Sequence, residues 1–201
     1  MPPTPTANIR FVNVSLGQTV STIFIAGQPV FTNLAYLQST PYLSVTAGAI
    51  SLVAEFSPSL ASFLVFPFLE ANRDYTALLA PSDDGAYTAI VYPDQNACCK
   101  TPRFRFINFA FGASDGVSLI VDNLTIYTGV ITPNAGFPVY LETTPCSFIF
   151  KVVSTFNPAT VLIPDTQVQF EKGTVYTLIT VRNADDTAYE FLVLANPCRK
   201  H

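Results

Sequence analysis

Cysteine is the residue type whose number and spacing offer the most chemistry in this chain. Four are present, Cys98, Cys99, Cys146 and Cys198. A bond between sequence neighbours closes an eight-membered ring strained away from relaxed disulfide geometry, so Cys98 and Cys99 are each expected to face a different partner. Cys98, Cys99 and Cys198 fall in a joint and a tail, whereas a buried inert thiol sits more naturally within a strand. This placement favours cross-links between halves of the chain or between subunits, with inert thiols as the alternative. The four show no paired C-x-x-C spacing, so no zinc site is expected.

Other reactive groups point away from catalysis. The only histidine is His201, the last residue, at an end expected to fray. Histidine-assisted nucleophilic catalysis and histidine-containing zinc sites are therefore set aside. Asp83-Asp84 and Asp185-Asp186 are carboxylate pairs, but a glycosidase pair must converge from different strands across a cleft. As sequence neighbours they read as turn formers. No glycine-rich phosphate loop is present, and no cofactor is implied. Asn13-Val-Ser15 and Asn123-Leu-Thr125 match the N-glycosylation pattern, which has meaning only in a eukaryotic secretory setting. The expectation is a protein without enzymatic activity.

The elements that hold these residues are written twice. Ile9-Arg-Phe-Val-Asn13 is answered by Phe104-Arg-Phe-Ile-Asn108, and Tyr75-Thr76 by Tyr176-Thr177. Val20–Ile25, the turn Ala26-Gly27 and Gln28–Phe31 read as strand, turn and strand. Leu119–Val121, Asp122-Asn123 and Leu124–Tyr127 repeat that hairpin, and both turn pairs suit it. The span from Tyr42 to Phe56 is answered by Val139 to Val153. Phe63 to Leu69 reads as a strand that Pro67 pushes towards an edge or bulge. No stretch carries a convincing helical apolar period with caps at both ends. About seven short strands per copy describe an all-β chain of two tandem immunoglobulin-like antiparallel β-sandwich modules. The expected divisions are an extended Pro/Thr-rich arm at 1–7, modules at 8–95 and 103–198, and a cysteine-containing linker at 96–102. The arm is either a disordered tail or a segment that adds a strand to a neighbour's sheet. Phe11, Ile23, Ile25 and Tyr75, with Phe106, Leu119, Val121 and Tyr176, are the expected core.

Charge narrows the partners. The chain has 201 residues, 12% of them charged, with ten Lys and Arg and a net charge of -4. Nucleic acid needs clustered cations to replace phosphate counterions, and an anionic membrane surface needs them too. Neither is an expected partner. The most apolar run, Leu60–Leu69, contains a proline and is about half the roughly 20 residues a spanning helix needs, so no membrane insertion is expected. Met1–Ala7 has no basic start followed by an apolar run, hence no signal peptide in the sequence as it stands.

Several stretches together resemble a known family. Ile9-Arg-Phe-Val-Asn13, the hairpin Ile25-Ala-Gly-Gln-Pro-Val-Phe31, Tyr42-Leu-Ser-Val-Thr-Ala-Gly48 and Asp74-Tyr-Thr76 look like the bacterial family called domain of unknown function 4397. The resemblance implies a β-module often carried in tandem on secreted or surface proteins. Members usually follow the first strand with a His-x-Ser-Pro-Asp-Ala-Pro-like stretch. Here Asn13-Val-Ser-Leu and Asn108-Phe-Ala-Phe stand instead. The family has no agreed catalytic role, so no active-site residues carry over.

Two functions remain. One is a non-enzymatic structural subunit of an extracellular filament, appendage or surface coat, polymerised with itself on a cell, spore or particle surface. The other is a surface-displayed binding or adhesion module for carbohydrate or cell-wall polymer, with Tyr and Phe as stacking platforms.

Overall fold

The structure is a computed structural model that describes residues 4–82, 85–95, 100–110, 116–130 and 139–197. Among these the regular elements are all strands. The chain divides into two compact units, Met1–Gln95 and Asn96–His201.

The first unit holds β1 (Thr6–Asn13), β2 (Thr19–Ile25), β3 (Gln28–Leu34), β4 (Leu43–Thr46), β5 (Gly48–Ala49), β6 (Leu52–Ser57), β7 (Ser62–Val65), β8 (Phe68–Leu69), β9 (Asp74–Pro81) and β10 (Tyr87–Pro93). They form two four-stranded sheets, β10-β9-β1-β4 and β3-β2-β6-β7, and a small pair, β5-β8. The second unit holds β11 (Arg103–Asn108), β12 (Val117–Val121), β13 (Leu124–Val130), β14 (Leu141–Glu142), β15 (Ser147–Ser154), β16 (Val161–Gln169), β17 (Thr174–Arg182) and β18 (Tyr189–Pro197). Its sheets are β14-β11-β17-β18 and β13-β12-β15-β16. Strand for strand, the four-stranded sheets of the two units have the same order.

Two expectations need correction. The sheets are not purely antiparallel, because β1 runs parallel to β9 and β11 parallel to β17. A parallel pair needs a long crossover, which the intervening strands of the other sheet supply. Nor is the strand order that of an immunoglobulin domain, where the second and third strands lie in opposite sheets. Here β2 and β3 are hydrogen-bonded neighbours. The cause is the turn between them: Ala26 and Gly27 both have positive φ, 49° and 76°. Left-handed conformations at both central residues match the twist of a two-residue hairpin and keep its strands in one ladder. Asp122 and Asn123 repeat this at 46° and 67°.

Each unit has its own core, fed by both of its sheets. In the first, Ile9 and Phe11 from β1 meet Ile23 from β2 and Phe56 from β6. Phe56 stacks on Tyr87 of β10 with centroids 4.2 Å apart. In the second, Phe104, Phe150, Phe170 and Tyr176 pack as an aromatic cluster. All eight expected core residues are buried. Tyr75 and Tyr176 also anchor loops, their hydroxyls accepting the Glu70 and Glu171 backbone N–H groups at 2.8 and 2.9 Å.

The last residues of the expected arm join the first sheet. Thr6 and Ala7 pair with Thr46 and Val45, and the Pro5 carbonyl accepts the Ala47 N–H. Buried Ala7 and these ladder bonds draw the segment into the sheet. The Phe63–Leu69 run is split into β7 and β8 around Pro67, which has no N–H to give a ladder but accepts from Ile50 through its carbonyl.

Candidate functional site

A buried polar cluster lies across the β10-β9-β1-β4 sheet. Arg10 sits on β1, Thr76 is its ladder partner on β9, Asp94 follows β10 and Tyr42 precedes β4. Each strand of the sheet, or the residue just outside it, thus supplies one side chain. The alternation that aims Ile9 and Phe11 into the core turns Arg10 to the opposite face. Arg10 is nonetheless only 5% exposed, Asp94 8% and Thr76 0%.

The donors and acceptors form a consistent chain. Arg10 Nε donates to Thr76 Oγ1 at 2.9 Å, and Thr76 Oγ1 donates to Asp94 Oδ2 at 2.6 Å. Tyr42 OH donates to the same carboxylate oxygen at 2.7 Å. The Arg10 guanidinium carbon lies 5.0 Å from the Tyr42 ring centroid, within cation–π range. Burial, and then the Asp94 charge, push the Tyr42 phenol far above its ordinary range. Tyr42 therefore stays a neutral donor. Among the described residues Arg10 Nη2 has no hydrogen-bond partner.

The second unit rebuilds this cluster with one change. Arg105 Nε donates to Thr177 Oγ1 at 3.0 Å, and its guanidinium carbon lies 4.8 Å from the Tyr140 ring centroid. The ladders place Tyr75 opposite Pro93 and Tyr176 opposite Ala195. Asn196 therefore stands where the first unit has Asp94. Its Nδ2 is buried without a hydrogen-bond partner among the described residues.

A second repeated device ties each unit's sheets together. Asn13, at the end of β1, donates through Nδ2 to the Leu34 carbonyl at 3.0 Å and the Gln18 carbonyl at 2.9 Å, while its Oδ1 accepts the Ser15 N–H. Asn108 donates to the Val130 carbonyl at 2.9 Å and accepts from Ala110 N–H and Thr180 Oγ1. A buried amide with every group engaged acts as a fixed strut.

Chemically these clusters hold strands. In the first, one carboxylate oxygen accepts two hydroxyls beside a guanidinium, and the phenol stays protonated. The sequence reading missed the Arg–Thr–Tyr clusters. The available signal was an arginine interrupting an apolar strand at the same place in both copies.

The residues singled out from sequence fall elsewhere. Cys98, Cys99 and Cys198 lie outside the described residues, as do Asp83, Asp84 and His201. Cys146, partly buried, carries a free thiol 3.4 Å from Thr144 Oγ1. Asp186 occupies a turn at φ 55°, its N–H bonded to the Asn183 carbonyl. Asn13 is fully buried, whereas Asn123 is exposed at its hairpin turn. Among the described residues no three His, Cys, Asp or Glu side chains gather as a metal site. No helix among them is long and apolar enough to cross a membrane.

The buried repeats and hairpins belong to a β-module class known by its sequence pattern. The model of the family described as Domain of unknown function (DUF4397) matches residues 7–119, and the chain belongs to that family. The match covers the strands of the first unit and runs on through β11 into β12. No curated protein matches the chain.

Proposed function

We propose that the chain is a non-enzymatic structural subunit of an extracellular or surface assembly, a filament, appendage or coat. It packs against copies of itself and is cross-linked through its cysteines. In this reading the second unit is a second copy of the family domain, since sheet order, arginine cluster and asparagine strut recur in it.

The observation that carries the proposal is the exposed apolar row along β7 and β8. Leu64, Phe66 and Phe68, at alternate positions, are 55%, 68% and 70% exposed, and β7 is an edge strand. The second unit also exposes large apolar side chains, Leu124 on the edge strand β13, Ile149 on β15 and Phe156 just beyond it. Large apolar side chains repeated along a sheet edge suit contact with another molecule. With 12% charged residues, little surrounds them to oppose association.

Sedimentation and electron microscopy of the unreduced protein test this, together with non-reducing electrophoresis. Concentration-dependent multimers, disrupted by the double change Phe66→Ser and Phe68→Ser, are expected. Monomer at every concentration would overturn the proposal. Free alkylation of all four thiols in an intact unreduced assembly would remove the cross-links and leave packing alone.

A further inference from the structure

Independently of assembly, the second unit carries a groove that its strand edges leave open. It lies between β16, an edge of one sheet, and β18, an edge of the other, with a volume of about 570 Å³. That falls within the roughly 300–1,000 Å³ of small-ligand sites. Buried Ile163 and Val168 and half-buried Phe191 give it an apolar base, and Tyr189 lines the same space. The Tyr189 ring is already oriented, with the Arg182 guanidinium carbon 4.2 Å from its centroid. Exposed Gln167 adds an amide to the lining, while that of Gln169 is held by the Ser147 hydroxyl and the Phe170 carbonyl.

We propose that this groove binds a neutral oligosaccharide. Aromatic rings offer apolar faces to the C–H faces of a sugar ring, while amides both donate and accept, matching sugar hydroxyls. The charge of the lining decides against anionic glycans: no Lys or Arg lines the groove, Glu190 is its one charged side chain, and Arg182, which covers Tyr189, is paired with Asp186.

The other occupant an open edge invites is an extended peptide adding a strand. The β16 edge is poorly made for that. Pro164 offers no N–H, and its carbonyl already accepts from Thr166 Oγ1 at 2.8 Å. The ladder from β15 to β16 shifts register twice, around Val152, and such irregularity bends an edge away from regular pairing.

Nuclear magnetic resonance titration of the full chain tests the site, with cellotetraose, chitotetraose and mannotetraose as probes at millimolar concentration. At least one should give saturable shifts centred on Gln167, Tyr189 and Phe191. Tyr189→Ala and, separately, the surface change Gln167→Ala should each weaken binding roughly tenfold. Unchanged thermal melting of Gln167→Ala separates lost binding from lost fold. No saturable shift with any probe would overturn the proposal, as would wild-type binding by both variants. So would equal binding of a sulfated oligosaccharide, or an unstructured peptide that binds instead and protects β16 amides from exchange.

Discussion

Across the first unit's sheet a buried guanidinium, Arg10, is joined through Thr76 to the carboxylate of Asp94, and Tyr42 covers both. Across the second unit's sheet Arg105, Thr177 and Tyr140 repeat that arrangement, but the carboxylate position holds Asn196. The strand-holding geometry thus survives a change in charge at one of its four members. What differs is how the buried polarity is satisfied. Among the described residues, the first unit's acceptor takes two hydroxyl bonds and one guanidinium nitrogen has no partner, while in the second the replacement amide's Nδ2 has none. A latch that tolerates this exchange owes much of its hold to the threonine and tyrosine contacts. The carboxylate then matters chiefly as the acceptor shared by the Thr76 and Tyr42 hydroxyls.

The largest expected effects test that division. Asp94→Ala leaves the buried Thr76 and Tyr42 hydroxyls without their shared acceptor and should cost roughly 2–4 kcal/mol, the loss expected when buried donors are left unsatisfied. Asn196→Ala removes an amide whose Nδ2 has no partner among the described residues and should cost roughly 1 kcal/mol or less. Denaturant unfolding of the two variants provides the measurement, and equal losses would break the comparison. Phe11→Ala and Phe106→Ala supply the control. Both rings are buried at matching core positions, so each should cost roughly 3–5 kcal/mol through transfer and cavity terms. A loss below about 1 kcal/mol in either would place that ring outside the core.

Why the core was readable and the latch was not follows from these residues. Phe11 and Phe106 declare themselves because alternation in a strand is a local, period-two pattern. The Ala26-Gly27 and Asp122-Asn123 turns are equally local, and they already contained the strand order. A tight hairpin keeps its strands in one sheet, which conflicts with an immunoglobulin arrangement. By contrast, Arg10 meets Thr76 only because β1 and β9 pair in parallel across 66 residues. Asp94 meets Tyr42 across 52. No sequence periodicity encodes such contacts. Only the internal repetition hinted at them, through Arg10 and Arg105, Tyr42 and Tyr140, and Thr76 and Thr177. The groove between β16 and β18 depends on how two sheet edges end, which is later still in the chain of causes.

Alkaline titration sharpens the comparison by a smaller effect. Tyr42 is held above its ordinary phenol range by burial and by Asp94. A group whose folded pKa is raised contributes stability in full below its unfolded value, and loses it as pH rises. The first unit should therefore lose stability progressively above about pH 10, where the unfolded phenol begins to ionise. Tyr42→Phe should flatten that decline while weakening the unit modestly at neutral pH through the lost bond to Asp94. In the second unit a tyrosine of the other sheet, Tyr127, is pushed up to about 12 by burial. Tyr127→Phe should change its alkaline slope less. Thermal melting between pH 8 and 11 reads both, and an unchanged slope for Tyr42→Phe would remove Tyr42 from the account.

The smallest expected effect comes from making the second latch match the first. Asn196→Asp replaces an amide whose buried Nδ2 has no partner among the described residues with an acceptor-only carboxylate, at the register position that Asp94 holds in the first unit. Two terms oppose each other. A charge-assisted contact forms and an unpaired donor disappears, both favourable. Placing a new charge in a partly buried position incurs desolvation, which offsets most of that gain. The net should be a stabilisation of about 1 kcal/mol at neutral pH. Its pH dependence identifies the source. Arg105 should depress the new carboxyl's folded pKa, so the gain is present above the unfolded value of about 4 and is lost as pH falls through the folded one. Denaturant midpoints for wild type and Asn196→Asp at pH 7 and pH 3 decide it. A gain at pH 7 that vanishes at pH 3 supports a shared latch in two charge states. Destabilisation at pH 7 would mean that the second unit meets its arginine's needs in a way that leaves no place for a carboxylate, and that the two clusters share geometry alone.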